Sequence, residues 1–408
     1  MKYILVIGDG MADNSVEELS GKTPIAAANI TVIDEMAGKG IVGTVKTIPD
    51  GVPAGSDTGI LSLFGYDPRK YYTGRSPLEA AGSGVKLKAG DISYRCNMVA
   101  LSDEEKFENK LMLSHSGGSV EGNESIELMK YLQSFDSFKK LAEKYNMTFN
   151  LNPSFRHIAV QGGGNIEGLI TTPPHDILKK EIGDYLPHGN GSEPLIELMR
   201  LANELLKDAP INIKRKERGL LPANGIWFWA EGTVANLPSF YEKYHKKCAV
   251  VTAVPLVVGI AALAGGDNIP VEGATGELDT NYEGKVDGAV DALKNGYDFV
   301  CIHIEAPDEC THNGDLKGKI KAIENIGNRV MPNLLNKLDK MNEDYRILFV
   351  SDHKTLMSTR THDGEPVPFL IYDSRKNEGN IPCFDEQAGL KGKYLENGFE
   401  LLDLLFNE

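Results

Sequence analysis

The 408-residue sequence is poor in cysteine and has no C-x-x-C pair. Its five cysteines, Cys96, Cys248, Cys301, Cys310 and Cys383, are odd in number, which excludes a simple disulfide framework and fits a reduced, cytoplasmic protein. Positive charge is also short: 43 Lys and Arg stand against 58 Asp and Glu, a formal net charge of -15. That balance argues against a nucleic-acid partner and against an anionic membrane surface, and an anionic substrate would need a local cluster of cations or metal. Long apolar runs are missing too. The most apolar stretch, CAVVTAVPLVVGIAALAGG (248–266), is interrupted by Pro255 and Gly259, and reads as a buried strand followed by a buried helix. The N-terminal MKYILVIGDGMAD lacks the apolar core and cleavage site of a signal peptide and reads as the first core strand. There is no internal repeat, no low-complexity tract and no G-x-x-x-x-G-K-[ST] phosphate loop.

What remains is ordinary globular composition, 41% hydrophobic and 25% charged, in a chain long enough for two domains or one large domain with an insertion. Apolar runs recur at YILVIGDG, CAVVTAV (248–254), YDFVCIHIEAPDE (297–309), YRILFVSDH (345–353) and VPFLIYD (367–373). Such runs predict strands buried on both faces. Between two of them, KGKIKAIENIGNRVMPNLLNKLDKM (317–341) spaces Ile320, Ile323, Ile326 and Val330 as a helix would. Strand, helix, strand in order predicts an α/β fold with a mostly parallel sheet covered by helices. The middle differs. Charged helical stretches (ESIELMKYLQSFDSFKKLAEKY, PLIELMRLANELLKD) alternate there with short strands (RHIAVQ, GIWFWAEG). This predicts an inserted α+β domain over 76–240 and a discontinuous core of 1–75 and 241–408.

Three core strands end in acidic or histidine residues: Asp9, Asp308, and Asp352 with His353. Ligands of open α/β sheets bind at the carboxyl ends of strands. Taken singly, an Asp after a strand reads as a turn or cap residue, and His188 and His245 read as ordinary loop and surface histidines. Together the positions form a pattern. DECTH sets Asp308 and His312 four apart, on one face if helical, and RTHDGEPVPF puts His362 in a loop before the last core strand. Carboxylates with imidazoles suit Mn²⁺ or Zn²⁺, and six or seven such ligands suffice for two ions that clamp the oxygens of a phosphoryl transfer. In VPAGSDTGILS (52–62), Ser56 lies on a glycine-flanked bend before a helix, with Asp57 or Thr58 as caps. A serine hydroxyl becomes a competent nucleophile when a metal lowers its pKa.

GDGM, GSDTG, EAPDECTHNGD, SDH and RTHDGEPVPF, in that order, resemble the alkaline phosphatase-like superfamily. Within it the chain is similar to the archaeal-type, 2,3-bisphosphoglycerate-independent phosphoglycerate mutases, a resemblance that includes TGRSPLEAAGSGVKLKAGDISYRCN and VEGATGELDTNYEGK. It implies an alkaline phosphatase-like core with an inserted substrate-binding lid. It also implies interconversion of 3- and 2-phosphoglycerate in glycolysis and gluconeogenesis, through a phosphoserine on Ser56. Asp9, Ser56, Asp352 and His353 would hold one divalent ion, and Asp308, His312 and His362 the second. Mn²⁺ is the expected ion, with Zn²⁺, Co²⁺ or Mg²⁺ as alternatives, and no 2,3-bisphosphoglycerate is needed.

His115, Arg156, Arg218 and Lys285 are candidates for the substrate phosphate and carboxylate, although Arg218 lies in the charge run KRKER, which also reads as a solvated face. The chain is shorter than the long bacterial and plant mutases, mainly in the insertion, so their substrate residues do not map by spacing. Lys354 stands where many relatives have proline. The same motifs are compatible with a homoserine kinase-like phosphotransferase, a metal-dependent phosphatase, or a binding protein with a purely structural metal. Structural sites are closed four-ligand cages, unlike a serine among strand-end ligands.

Overall fold

The unbroken apolar runs become strands because a strand covered by helices on both faces has no side that meets water. In the computed structural model, which describes residues 1–377 and 379–407, the chain divides into two units, Met1–Tyr72 with Asn236–Glu408, and Thr73–Ala235. The first unit is built on an eight-stranded sheet. Its strands are β1 (Lys2–Gly8), β2 (Ile41–Val45), β3 (Cys248–Val251), β4 (Asp267–Asn268), β5 (Phe299–Ile304), β6 (Tyr345–Val350), β7 (Val367–Asp373) and β8 (Lys393–Leu395). Their spatial order is β8-β2-β7-β6-β1-β5-β3-β4. Only β7 runs against the rest, pairing antiparallel with β6 and β2. The expected mostly parallel sheet is therefore present, with one reversed strand. Every residue of β5 and β6 is buried, as their apolar runs require. The sequence did not announce β2, β4 or β8, which are five, two and three residues long and owe their strand form to pairing with neighbours.

Register brings the ligand-bearing chain ends together. Ile7 of β1 lies opposite His303 on β5 and Val350 on β6. The segments that begin at Asp9, Glu305 and Ser351 thus leave the sheet at one edge. Three helices follow strands or turns there: α1 (Ser56–Leu63), α2 (Tyr282–Lys294) and α3 (Ala306–His312). The 248–266 stretch splits as expected, into β3 and a helix over Pro255–Leu263. The 317–341 stretch is interrupted: helices Leu316–Asn325 and Met331–Asp339 flank a π turn at Ile326–Val330. Pro332 explains the change, since its ring lacks an N–H and would strike the carbonyl of Asn328 in a regular helix. Among the described residues no helix is long and apolar enough to cross a membrane.

The second unit is an antiparallel sheet with helices packed on it. Strand Asp91–Leu101 pairs with Arg156–Gly162 and with Gly225–Thr233. Met147–Asn150 extends the sheet beyond Arg156–Gly162. The first charged helical stretch breaks at Phe135 into helices Gly122–Ser134 and Asp136–Lys144, and the second forms Ser192–Leu206. Tyr94, Leu128, Leu198, Trp227 and Phe228 share its core.

Candidate active site

The turn after β1 carries Asp9, whose N–H donates to the Ile304 carbonyl at 2.9 Å. Gly10 follows in the left-handed region, φ 58°, and its N–H donates to Asp352 Oδ1 at 3.1 Å. A Cβ on Gly10 would lie 2.5 Å from Asp308 Oδ1 and would also strike Thr355 Oγ1, so only glycine leaves both acids in place. Ser56 is the first residue of α1, whose N-cap is Gly55 without a side-chain cap. Of Asp57 and Thr58, expected as caps, Asp57 accepts the first-turn N–H of Thr58 on Oδ1 at 3.1 Å and the Tyr72 hydroxyl on Oδ2 at 2.6 Å, whereas Thr58 Oγ1 donates to the Pro53 and Gly55 carbonyls. Helix α1 presses on the Asp352 turn so closely that a Cβ on Gly59 would sit 2.5 Å from the Asp352 carbonyl oxygen. This contact sets Ser56 Oγ 3.1 Å from His353 Nε2 and 3.4 Å from Asp9 Oδ1.

Asp9, Asp352 and His353 are all buried, and each offers a ligand atom within 4.8 Å of the other two. Burial, and then the charges of Asp352, Asp308 and Glu305, push the Asp9 carboxyl well above its ordinary pKa. Burial likewise raises Asp352 and lowers His353. Among the described residues Asp352 Oδ2 has no hydrogen-bond partner, with His353 Nε2 3.2 Å away. His353 Nδ1 faces the Lys354 carbonyl at 3.2 Å, and a proton held there leaves the Nε2 lone pair aimed at Ser56 and the two acids. A cation placed among these buried carboxylates would offset their desolvation.

The second group is Asp308 and His312, one turn apart on α3 as their spacing predicts, with His362. His362 lies not in a loop but on strand Thr361–Asp363, hairpinned with Lys354–Leu356, which pairs His362 with Thr355. His312 Nε2 stands 3.0 Å from Asp308 Oδ2 and 3.1 Å from His362 Nε2. Its Nδ1 donates to the Arg360 carbonyl at 2.9 Å, and Arg360 is itself in the left-handed region, φ 58°. The hydrogen bond to Asp308 pushes His312 up to about 9. Burial works to raise Asp308, but the hydrogen bonds of His312 and His362 hold it well below the carboxylate range. Thr355 Oγ1 donates to Asp308 Oδ1 at 2.6 Å. Both groups offer the mixed carboxylate and imidazole donors that suit a borderline divalent ion, and the His353 and His312 rings are held from behind by the Lys354 and Arg360 carbonyls.

The four substrate candidates fall in different places. Lys285 is buried on α2, with Nζ 3.0 Å from the His303 carbonyl and 3.3 Å from that of Thr275, and burial lowers it to about 8. Arg218 caps the C-terminus of helix Pro210–Glu217 and shares Glu124 with Arg215. His115 contacts the rings of Phe155 and His175, and burial and the Arg156 charge lower its pKa. Around it the second unit gathers residues that the sequence reading missed. Arg75 and Arg95 both bind Glu79, and Arg95 lies over the Trp229 ring at 4.4 Å. Burial acts to raise Glu79, but Arg95, Arg75 and Arg156 outweigh it and hold the carboxyl low. An arginine inside the apolar strand ISYRCNMV was the available signal. In the first unit, His303 was also missed, a histidine within the apolar run FVCIHI.

The profile of the 2,3-bisphosphoglycerate-independent phosphoglycerate mutase family matches residues 37–212. The enzyme of that name from Methanosarcina mazei is 41% identical over 393 residues, 96% of each chain. Among solved structures, a Pyrococcus horikoshii protein is similar with a TM-score of 0.80 and 29% identity, covering 100% of this chain and 98% of that one. The cofactor-independent phosphoglycerate mutase of Thermoplasma acidophilum follows with a TM-score of 0.62 and 25% identity, covering 99% of each chain. With identity of this level along nearly its whole length, the chain belongs to the 2,3-bisphosphoglycerate-independent phosphoglycerate mutase family.

Proposed function

We propose that the protein interconverts 3-phosphoglycerate and 2-phosphoglycerate, with Ser56 carrying the phosphoryl group between the two hydroxyls. The observation that carries this reading is Ser56 Oγ at the first turn of α1, within 3.4 Å of both Asp9 and His353. Helix N-termini favour bound phosphate. Asp9, Ser56, Asp352 and His353 would hold one divalent ion, and Asp308, His312 and His362 the other. The donors suit Mn²⁺ or Zn²⁺, of which we take Mn²⁺ as the ion, with Zn²⁺, Co²⁺ and Mg²⁺ as alternatives. When bound, the ions would neutralise charge on the transferring phosphoryl group and lower the pKa of the serine.

In the forward half-reaction Ser56 Oγ attacks phosphorus, the bond from phosphorus to the 3-oxygen breaks, and the serine proton passes to that oxygen. The 2-hydroxyl then attacks the phosphoserine and returns its proton to Ser56, so the cycle balances without an added donor. In the second unit, His115 and Arg156 are our candidates for an anionic group of the substrate, with Arg75 and Arg95 adding positive potential. The five free cysteines fit a reduced cytoplasmic setting. The names of the relatives favour the mutase over kinase and phosphatase readings, and a product assay separates the three. Purified protein given 3-phosphoglycerate should form 2-phosphoglycerate and a phosphoserine at position 56, and Ser56→Ala should do neither. Turnover retained by Ser56→Ala, or phosphate transfer to homoserine or water in place of the mutase product, overturns the proposal.

A further inference from the structure

His303 lies at the penultimate position of β5, wholly buried, and donates nothing to solvent. Its Nε2 is 2.8 Å from Asp9 Oδ2. Its Nδ1 is 3.1 Å from Thr252 Oγ1, the hydroxyl just beyond β3 that already accepts the Val254 N–H at 3.0 Å. With Asp9 ionised, as a bound cation would hold it, the carboxylate 2.8 Å away can only accept, so Nε2 carries the ring proton; Nδ1 is then the acceptor, and Thr252 donates to it. The strand itself is pinned from the other side, where Lys285 donates to the His303 carbonyl.

We propose that His303, oriented by Thr252, is a positioning residue that engages Asp9 Oδ2 and thereby presents Oδ1 alone to Ser56. Asp9 sits on a turn next to a glycine, and its carboxylate would otherwise be free to rotate and offer both oxygens. The hydrogen bond removes that freedom and shares the charge of the outer oxygen, the arrangement by which groups behind a ligand tune its affinity for an ion. Asp9 Oδ1, facing Ser56 at 3.4 Å, is the oxygen left for the cation and the serine.

The inference rests on the reading that Asp9, Asp352 and His353 bind a divalent ion, and Mn²⁺ titration of metal-free protein separates the two claims. Wild-type protein is expected to bind two ions. His303→Leu should weaken one binding event by about ten- to a hundredfold and leave the other, at Asp308, His312 and His362, unchanged. His303→Gln, whose amide can donate from the same place, should recover most of the loss; Thr252→Val should weaken the same event and Thr252→Ser should not. A merely structural role would weaken both events together and would show no rescue by Gln or Ser. Equal affinities in wild type, His303→Leu and Thr252→Val overturn the proposal, whereas wild-type protein that binds no Mn²⁺ overturns the metal reading beneath it. Should His303→Leu fail to fold, the Thr252 pair decides the matter alone.

Discussion

Replacing Gly10 by alanine tests whether the first turn is shaped by the space the site needs. Gly10 has φ 58° and Gly51 has φ 80°, so each Gly→Ala change places a Cβ in the left-handed region, at roughly 1–2 kcal/mol. The two differ in surroundings. A Cβ at Gly51 meets nothing within 4 Å among the described residues, whereas one at Gly10 meets Asp308 Oδ1 at 2.5 Å and strikes Thr355 Oγ1. Overpacking of that kind costs about 1–3 kcal/mol more, so Gly10→Ala should lose about 2–5 kcal/mol against about 1–2 for Gly51→Ala. The assay is urea denaturation of metal-free protein followed by far-UV circular dichroism. Trp227 and Trp229, the two tryptophans of the chain, both lie in the second unit and Gly10 in the first, so circular dichroism is chosen over fluorescence. Mn²⁺ titration supplies the second readout, with a loss expected at the Asp308 group for Gly10→Ala only. Equal destabilisation by the two substitutions, with metal binding intact in both, would refute the reasoning.

Two pH effects follow from the histidines. Asp308 holds His312 up at about 9, so an ion entering that group at pH 7 must displace a proton, and affinity should climb as pH rises toward 9. Calorimetry in buffers of different ionisation enthalpy measures the released proton, and a binding heat independent of buffer contradicts the assignment. The same raised value contributes stability to the metal-free fold that is full below the unfolded value of 6.5 and lost as pH rises through about 9. His157 acts in the opposite sense. It is fully buried, its Nδ1 accepts the Asn152 N–H, its Nε2 meets Ser125, and burial lowers it to about 4. Its contribution is present above 6.5 and is lost as pH falls through about 4, which amounts to about 3 kcal/mol. Fluorescence-monitored unfolding of the second unit should lose that stability between pH 6.5 and 4. A His157→Gln variant with the same acid profile as wild type would remove His157 as the cause.

Much of this protein is written along the chain. Runs such as YILVIG and YRILFV determine buried strands because they leave no polar face for water, and their alternation with helical spacing determines a mostly parallel α/β sheet. The i, i+4 spacing of Asp308 and His312 likewise determined that both lie on one face of α3. Other features depend on partners distant in sequence. The short strands β2 and β8 exist through pairing with β7 and with each other. Thr58 looked like a cap, but its hydroxyl donates to the Pro53 and Gly55 carbonyls, and Asp57 divides its carboxylate between the Thr58 N–H and the Tyr72 hydroxyl. His303 and Asp9 are 294 residues apart, and Arg75, Glu79 and Arg95 meet only once a strand has folded back on a helix. Sequence pattern determines which surfaces must be hidden from water, because that depends on local periodicity. Which polar groups share a buried space, and so which tautomers and charges they adopt, was decided by the tertiary structure, because hydrogen bonding and desolvation act between neighbours in space.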